Sequence, residues 1–153
     1  MENDIPNLHY VDDFIYRSGI LTDDNIEHVK ELDIKTIVSM KTNIVDTHIE
    51  KEWCQHNGIK FCHVPMLLVP EIDEKKVIKA VKEISNRQHP LLVHCTHGSD
   101  RTGTVIAIYR ILKNNWTYDD AIAEMEKYGF NPIFNVWKHF ILKVANHRDC
   151  FKI

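Results

Sequence analysis

The 153-residue sequence lacks the features that define several large classes of protein. No apolar run approaches the ~18 residues that a membrane-spanning helix requires, and the acidic N-terminus has no apolar segment of the kind found in secretory signals. The net charge is −3, so the general basicity of nucleic-acid-binding proteins is missing. Internal repeats, low-complexity segments and linkers are also absent. With 44% hydrophobic residues, the chain is predicted to form one globular domain over residues 1–153.

Metal-binding and disulfide patterns are missing as well. The four cysteines, Cys54, Cys62, Cys95 and Cys150, form no C-x2-C pair and no zinc spacing. The ten histidines are scattered and form no H-E-x-x-H motif. We therefore expect neither a metal site nor a cofactor.

Strand and helix patterns alternate along the chain. Extended, apolar-rich segments predict a hairpin over residues 8–17 and strands over 34–40, over 59–64 and from Leu91 onward. Apolar residues at helical spacing predict helices after a Thr22 cap, over 46–57, over 71–87, over 104–112, from a Thr117 cap to Gly129, and from Asn131-Pro132 onward. This alternation predicts an α/β fold, a central and mostly parallel sheet flanked by helices.

Two of these helices carry further expectations about burial. The segment 104–112 is apolar nearly all round, so it is expected to be the buried central helix of the domain. The last helix is expected to bury one stripe of large apolar side chains: Ile133, Trp137, Phe140, Ile141 and Val144.

The most informative stretch runs from Leu91 to Gly103 and has the sequence L-L-V-H-C-T-H-G-S-D-R-T-G. An apolar run ends in His94-Cys95 and another follows Gly103, which predicts a strand, a tight loop and a helix. A loop at a helix N-terminus presents several backbone N–H groups to one point, with the positive end of the helix dipole behind them. The stretch therefore predicts an anion site.

Cys95 and Arg101 stand at the two ends of this loop and give it a chemistry. A cysteine at a helix N-terminus beside a guanidinium favours the nucleophilic thiolate, and a functional thiolate favours a reducing, cytoplasmic compartment. Arg101 offers a planar fork of donors that suits two phosphate oxygens. This geometry suits in-line phosphoryl transfer. The residues expected to line the phosphate together with Arg101 are Thr96, His97, Gly98, Ser99 and Asp100.

The pattern H-C-x-x-G-x-x-R-T-G resembles the signature loop of the cysteine-dependent protein tyrosine and dual-specificity phosphatases. The matching residues are His94, Cys95, Gly98, Arg101, Thr102 and Gly103. The chain length suits the compact dual-specificity branch. The stretch F-I-Y-R-S-G, followed by a helix and I-K-T-I-V-S-M, is similar to the entry of the atypical bacterial, plant and fungal enzymes of that branch.

This resemblance implies a dual-specificity phosphatase-like fold and hydrolysis of a phosphomonoester through a cysteinyl-phosphate. It implies that Thr102 donates a hydrogen bond to the cysteine sulfur and that His94 orients the loop. His97, at the loop's rim, is expected either to contact substrate or to be structural. The substrate would be a phosphorylated protein or a small phosphomonoester.

The donor of the leaving-group proton is open between two aspartates. In most of the family it lies on a separate loop before the cysteine, but no W-P-D-like pattern occurs here. Asp73 falls in a predicted first helical turn, where an acid compensates the helix dipole. Asp100 gives G-S-D-R-T, which resembles loops of myotubularins and of some bacterial phosphatases with lipid-phosphate activity, in which the loop aspartate is the proposed acid. A phosphate dianion beside Asp100 would favour the protonated form of its carboxyl, so we favour Asp100 as the proton donor. The alternative is that Asp100 pairs with an Arg or Lys outside the loop and only shapes the loop.

Two further segments could border the site. Lys41 follows a predicted strand, and ligands of open α/β sheets lie beyond the carboxyl ends of the strands, so Lys41 could reach the pocket of Cys95. The alternative is a solvated loop lysine. Residues 65–70, P-M-L-L-V-P, form an unusually apolar loop that is expected to pack onto the core or to form one wall of the cleft.

Several functions remain as alternatives. The loop carries no Lys, which favours a protein or aryl phosphate over phosphoinositides and inositol phosphates, although G-S-D-R-T favours the latter. H-C-T-H-G also resembles the loops of RNA 5′-triphosphatases, which the acidic net charge makes a weaker hypothesis. A non-catalytic phosphoprotein binder and a rhodanese-like sulfur transferase are the other classes. The sequence leaves the oligomeric state open.

Overall fold

The computed structural model describes residues 4–67 and 69–153. Within these residues the strands are β1 (His9–Asp12), β2 (Ile15–Ser18), β3 (Thr36–Ser39), β4 (Lys60–His63) and β5 (Leu91–His94). The α-helices are α1 (Ile26–Glu31), α2 (Ile44–His56), α3 (Glu74–Asn86), α4 (Asp100–Asn114), α5 (Tyr118–Lys127) and α6 (Trp137–Asn146). Three short 3₁₀ turns lie at Asp23–Asn25, Pro132–Phe134 and Arg148–Cys150.

The five strands form one sheet in the order β1-β2-β5-β3-β4. β1 pairs with β2 in antiparallel fashion, and all the other pairs are parallel. The predicted α/β fold with a mostly parallel, helix-flanked sheet is thus confirmed. Strand β5 is central, so the loop that follows His94 opens at the carboxyl end of the sheet, where ligands of such sheets bind.

The predicted hairpin and caps form in the structure. The hairpin turn is made by Asp13 and Phe14, which both have positive φ values of 52° and 61°, as a two-residue turn between right-twisted strands requires. The side chains of Asn43 and Thr117 accept hydrogen bonds from backbone N–H groups at the starts of α2 and α5.

Each face of the sheet is covered by a separate apolar cluster, because successive side chains of a strand alternate between faces. Leu91 and Val93 of β5 belong to the larger cluster, with α3, α4 and α6. Leu92 belongs to the smaller cluster, with α1 and α2. Hydrophobic burial on both faces therefore holds β5, and with it the start of the loop, in a fixed position.

Helix α4 is the buried central helix that its composition predicts. Its residues from Asp100 to Ile111 are all buried, and it packs against α3, α5 and α6. The segment 104–112 has residues that favour strands as well as helices, but α4 extends without a break from the loop to Asn114. None of the helices among residues 4–67 and 69–153 is long and apolar enough to cross a membrane.

One burial prediction is wrong. Ile133 is 68% exposed, whereas Trp137, Phe140, Ile141 and Val144 are buried as expected. The reason is that Asn131 caps a 3₁₀ turn rather than the last helix, which begins only at Trp137. Ile133 therefore falls outside the helical phase that aligns the other four side chains.

Candidate active site

The loop between β5 and α4 wraps around the sulfur of Cys95. This side chain is 2% exposed. The backbone N–H of Gly98 points at Sγ over 3.3 Å, and the Thr102 hydroxyl donates to Sγ over 3.1 Å. The first N–H groups of α4 have no carbonyl one turn earlier to bond. The sulfur thus lies at the positive end of the buried helix and among hydrogen-bond donors.

Gly98 makes the tight course of the loop sterically feasible. Its φ is +82°, a conformation that other residues adopt only with strain. A Cβ atom at this position would lie 2.6 Å from the backbone oxygen of Ser18 at the end of β2. The loop is also bonded to the residues just after β2, because the N–H of Ile20 donates to the carbonyl of Thr96 over 2.9 Å. The end of β2 is therefore the support on which the loop rests.

Arg101 is 5% exposed, and its guanidinium is held from two sides. One terminal nitrogen donates to the carbonyl of Met66 over 3.0 Å, and the other donates to the Thr96 hydroxyl over 3.0 Å. The buried Nε has no hydrogen-bond partner among the residues that the structure describes. Because Nε–H lies in the plane of the fixed guanidinium, it can contribute to a bidentate contact with an oxyanion.

Asp100 is the first residue of α4 and is 7% exposed. Its Oδ1 accepts a hydrogen bond from the backbone N–H of Asn131 over 2.8 Å. The partner is thus a backbone amide and not an outside Arg or Lys. This contact fixes the carboxyl beside the loop, next to Arg101.

His94 is joined to a buried carboxylate that sequence analysis missed. His94 is fully buried, Glu50 on α2 is 2% exposed, and His94 Nε2 lies 2.6 Å from Glu50 Oε2. His94 Nδ1 lies 3.2 Å from the carbonyl oxygen of Cys95. The imidazole therefore connects α2 to the backbone of the nucleophile, which agrees with an orienting role.

The remaining loop residues lie where the pattern places them. Thr96 contributes its hydroxyl to Arg101, and Ser99 precedes the first turn of α4. His97 is exposed, and its carbonyl accepts from the Asn7 side chain over 2.9 Å. The His97 ring is thus at the rim, where either of its two expected roles is open.

The side chains of Asp73 and Lys41 both have partners that are not loop residues. Asp73 is the exposed N-cap of α3, and its carboxylate accepts from the N–H of Lys76 over 3.2 Å. Lys41 is 4% exposed, so it is not a solvated lysine, and its Nζ lies 3.2 Å from Asp46 Oδ2. It lines a cleft of about 270 Å³ that also includes Ile20, whose backbone bonds the loop. Lys41 thus lies beside the loop with its charge already paired.

The described part of the apolar segment 65–70 packs onto the core, as one of its two expected roles requires. Met66 is buried in the larger cluster, while its carbonyl accepts from Arg101. Leu67 is 66% exposed beside it. The carbonyls of Val69 and Pro70 accept from the indole N–H of Trp137. Leu68 lies outside the described residues.

The other cysteines differ from Cys95 in their surroundings. Burial raises the pKa of the Cys54 thiol, and the Glu50 carboxylate raises it further. Burial likewise raises the pKa of Cys62. Cys62 lies on β4 and Cys95 follows β5, with β3 between these two strands. Two inter-strand spacings of about 4.8 Å separate β4 from β5 by about 9.6 Å. This exceeds the ~7 Å between Cα atoms that a disulfide can span, so the two cysteines are too far apart to pair. Within residues 4–67 and 69–153, no group of three or more His, Cys, Asp or Glu side chains could hold a metal ion.

Comparison with known proteins agrees with this geometry. A model of the tyrosine phosphatase family matches residues 5–148, which is nearly the whole chain. The chain belongs to the tyrosine phosphatase family.

The chain is similar to enzymes of the atypical dual-specificity branch. It is 29% identical over 126 residues to the dual specificity protein phosphatase TpbA of Pseudomonas aeruginosa, a match that covers 81% of this chain but 55% of TpbA. It is 27% identical over 152 residues to inositol diphosphatase DSP2 of Oryza sativa, covering 95% of this chain and 68% of that protein. The chain therefore spans about half the length of TpbA.

A solved structure supports the same placement. The catalytic core of the PP-IP phosphatase SIW14 from S. cerevisiae, in complex with citrate, superposes with a TM-score of 0.81 at 25% identity. The match covers 95% of this chain and 90% of that one. The fold predicted from the family resemblance is thus confirmed.

Two residues that support the loop went unrecognised in the sequence. Arg17 on β2 is 1% exposed and donates to the carbonyl of Gly98 over 3.0 Å. Glu50 is the partner of His94. Arg17 could have been singled out as a charge in a strand that is otherwise apolar on its inner face. Glu50 has no such signal, because acids are common on helices.

Proposed function

We propose that the protein hydrolyses phosphomonoesters as a cysteine-dependent phosphatase, with phosphorylated proteins as its substrates and Cys95 as its nucleophile. The observation that carries this proposal is the convergence of a backbone N–H and the Thr102 hydroxyl on the buried sulfur, next to Arg101. The catalytic unit is proposed to be one domain over residues 1–153, acting in a reducing, cytoplasmic compartment where Cys95 stays reduced.

In the first step, the Cys95 thiolate attacks phosphorus in line with the bond to the leaving oxygen. The S–P bond forms as the P–O bond breaks, and the three equatorial oxygens are held by loop N–H groups and the Arg101 guanidinium. The proton that the leaving oxygen needs comes from the Asp100 carboxyl. Its Oδ1 is occupied by the Asn131 N–H, which leaves Oδ2 to carry that proton.

In the second step, a water molecule attacks phosphorus and releases inorganic phosphate. The Asp100 carboxylate accepts the proton of this water and so returns to its starting form. The S–P bond breaks and Cys95 leaves as a thiolate. The Thr102 hydroxyl, 3.1 Å from Sγ, stabilises the charge that returns to the sulfur.

The surface around the loop supports a protein substrate. Exposed apolar side chains stand in three segments whose neighbouring residues bond Arg101 or Asp100. We infer that they border the loop and call them the apolar rim: Ile44, Val45, Leu67, Val69, Ile133 and Val136. Met40 and Met66 contact Arg101 through their carbonyls, and Asn131 contacts Asp100. Apolar side chains that flank a phosphorylated residue could pack on this rim, whereas a free inositol phosphate has no apolar groups to bury there.

A second candidate is hydrolysis of inositol diphosphates. The observation that favours it is the similarity to DSP2, which is an inositol diphosphatase. Such substrates are compact polyanions and need several cations. Lys41, next to the loop, would have to exchange its partner Asp46 for the substrate.

A parallel substrate panel distinguishes these candidates. Phosphate release is measured from phosphotyrosine peptides with apolar or acidic flanks, from inositol diphosphates, from phosphoinositides and from RNA 5′-triphosphates. We expect the highest kcat/KM with the apolar-flanked peptide. A higher value for inositol diphosphates would favour the second candidate, and no release from any substrate would refute the phosphatase activity itself.

We predict that Asp100→Asn slows poor leaving groups far more than good ones. The amide oxygen of asparagine can still accept the hydrogen bond from the Asn131 N–H, but the amide has no acidic proton to transfer to the leaving group. We expect kcat/KM, which reports the first step and not the later hydrolysis of the cysteinyl-phosphate, to fall by about 100-fold or more for phenyl phosphate, within the ~10²–10⁴ range of general acid catalysis, and by only a few-fold for p-nitrophenyl phosphate. Asp73→Asn is the control and should leave both rates unchanged. Equal slowing of both substrates by Asp100→Asn would contradict the acid role.

A further inference from the structure

Arg17 has a buried charge that the proposed chemistry does not use directly. Its side chain is 1% exposed, and it projects from β2 on the same face as Ile15, towards α4. Burying a guanidinium without strong partners costs stability. Its Nε and one terminal nitrogen have no hydrogen-bond partner in the part of the chain that the structure describes. A cation kept in such a place calls for a functional explanation.

The contacts of Arg17 are directed at the catalytic loop. Its other terminal nitrogen donates to the Gly98 carbonyl over 3.0 Å, and its guanidinium carbon lies 4.6 Å from the centre of the Tyr128 ring. Burial lowers the pKa of Arg17, while the nearby charge of Glu124 raises it. The guanidinium lies against the start of α4, since a Cβ at Gly103 would be in ordinary van der Waals contact with Arg17, at 3.5 Å.

The bond to Gly98 determines how one loop peptide is oriented. The peptide between Gly98 and Ser99 is planar and trans, so its C=O and N–H point in opposite directions. Because the C=O points outward to Arg17, the Ser99 N–H points into the loop. The N–H of Gly98 itself, on the preceding peptide, points at Cys95 Sγ. The positive φ of Gly98 lets these two neighbouring N–H groups converge.

We propose that Arg17 is a positioning residue of the phosphate site: it holds the Gly98–Ser99 peptide so that the Ser99 N–H faces the bound phosphate, and it places a second cation behind the loop. This inference rests on the proposed phosphatase function. It assigns to a strand residue outside the H-C-x-x-G-x-x-R-T-G pattern a role in binding the transferred phosphoryl group. Arg101 holds the phosphate directly, and Arg17 acts through the loop backbone.

The test measures orthovanadate inhibition, kcat/KM for p-nitrophenyl phosphate and the thermal midpoint for wild type, Arg17→Met and Arg17→Lys. We expect Arg17→Met to weaken orthovanadate and to lower kcat/KM by about 10- to 100-fold each, somewhat less than the ~10²–10³ cost of losing an oxyanion donor outright. Arg17→Lys, which keeps the charge and one donor, should recover part of both losses.

Arg110→Met is the matched control. Arg110 is another buried arginine, 4% exposed, but its partners are Glu124 and Asp12 at the far end of α4. Its replacement should lower the thermal midpoint and leave orthovanadate inhibition unchanged. If Arg17→Met lowered only the thermal midpoint, which is the result expected for Arg110→Met, the positioning role of Arg17 would be wrong.

A second variant keeps the inference testable if Arg17→Met does not fold. Tyr128→Leu keeps an apolar cover over Arg17 but removes the cation–π contact from a half-buried position. It should weaken orthovanadate by a few-fold, and unchanged inhibition in both Tyr128→Leu and Arg17→Lys would overturn the positioning role. Failure of wild type itself to bind orthovanadate would instead refute the proposed function.

Discussion

Cys95→Ser is expected to abolish phosphate release from p-nitrophenyl phosphate and from phosphopeptides. A serine hydroxyl is almost fully protonated at neutral pH and has no base beside it in this loop, so the covalent step loses its nucleophile. We expect a loss on the order of 10⁵-fold or more, because removing the nucleophile of another covalent hydrolase costs about 10⁶-fold. The measurement is steady-state phosphate release, with the thermal midpoint recorded to show that the variant folds.

The same variant should still bind substrate. Serine is close in size to cysteine, and the donors from Gly98 and Thr102 can bond an oxygen as they bond the sulfur. Cys95→Ser should therefore retain phosphopeptides in a pull-down with an affinity near that of wild type. Cys150→Ser, at an exposed cysteine, is the control and should keep full activity. Phosphate release that survives Cys95→Ser would rule out the cysteinyl-phosphate route.

The fold and the loop could be predicted because their signals are local. Thirteen consecutive residues, Leu91 to Gly103, specify a strand end, a positive-φ glycine and a helix start. The error at Ile133 has a local cause too. A cap followed by proline, as in Asn131-Pro132, is the same sequence signal for an α-helix and for a 3₁₀ turn. In the structure α6 begins at Trp137, whose indole N–H donates to the carbonyl of Val69 in the segment after β4.

The support of the loop could not be predicted, because it depends on contacts between distant parts of the chain. Arg17 meets Gly98 across 81 residues, and Glu50 meets His94 across 44. A single sequence shows a charged residue but not whether folding buries it. Lys41 illustrates a different limit: its partner Asp46 is only five residues away, but the sequence does not show whether folding buries Lys41.

Arg101→Lys is expected to lower kcat/KM by about 10³-fold, or about 4 kcal/mol of transition-state stabilisation. Arg101 donates to Met66 and Thr96 with its terminal nitrogens, so its planar fork is held by the protein before an oxyanion binds. A lysine has a compact charge without that fork, so it cannot hold the Met66 carbonyl and also present two parallel N–H groups to two phosphate oxygens. A contact made mainly in the transition state lowers kcat more than it raises KM.

The control for this prediction is Arg110→Lys, because Arg110 is also buried but bonds Glu124 and Asp12 instead of the loop. It should cost stability without changing kcat/KM. Arg101→Lys should also loosen the segment after β4, because the bond to the Met66 carbonyl is lost. If Arg101→Lys and Arg110→Lys had equally small effects on kcat/KM, the guanidinium fork would not be the phosphate clamp, and the loop N–H groups alone would have to bind the transferred phosphoryl group.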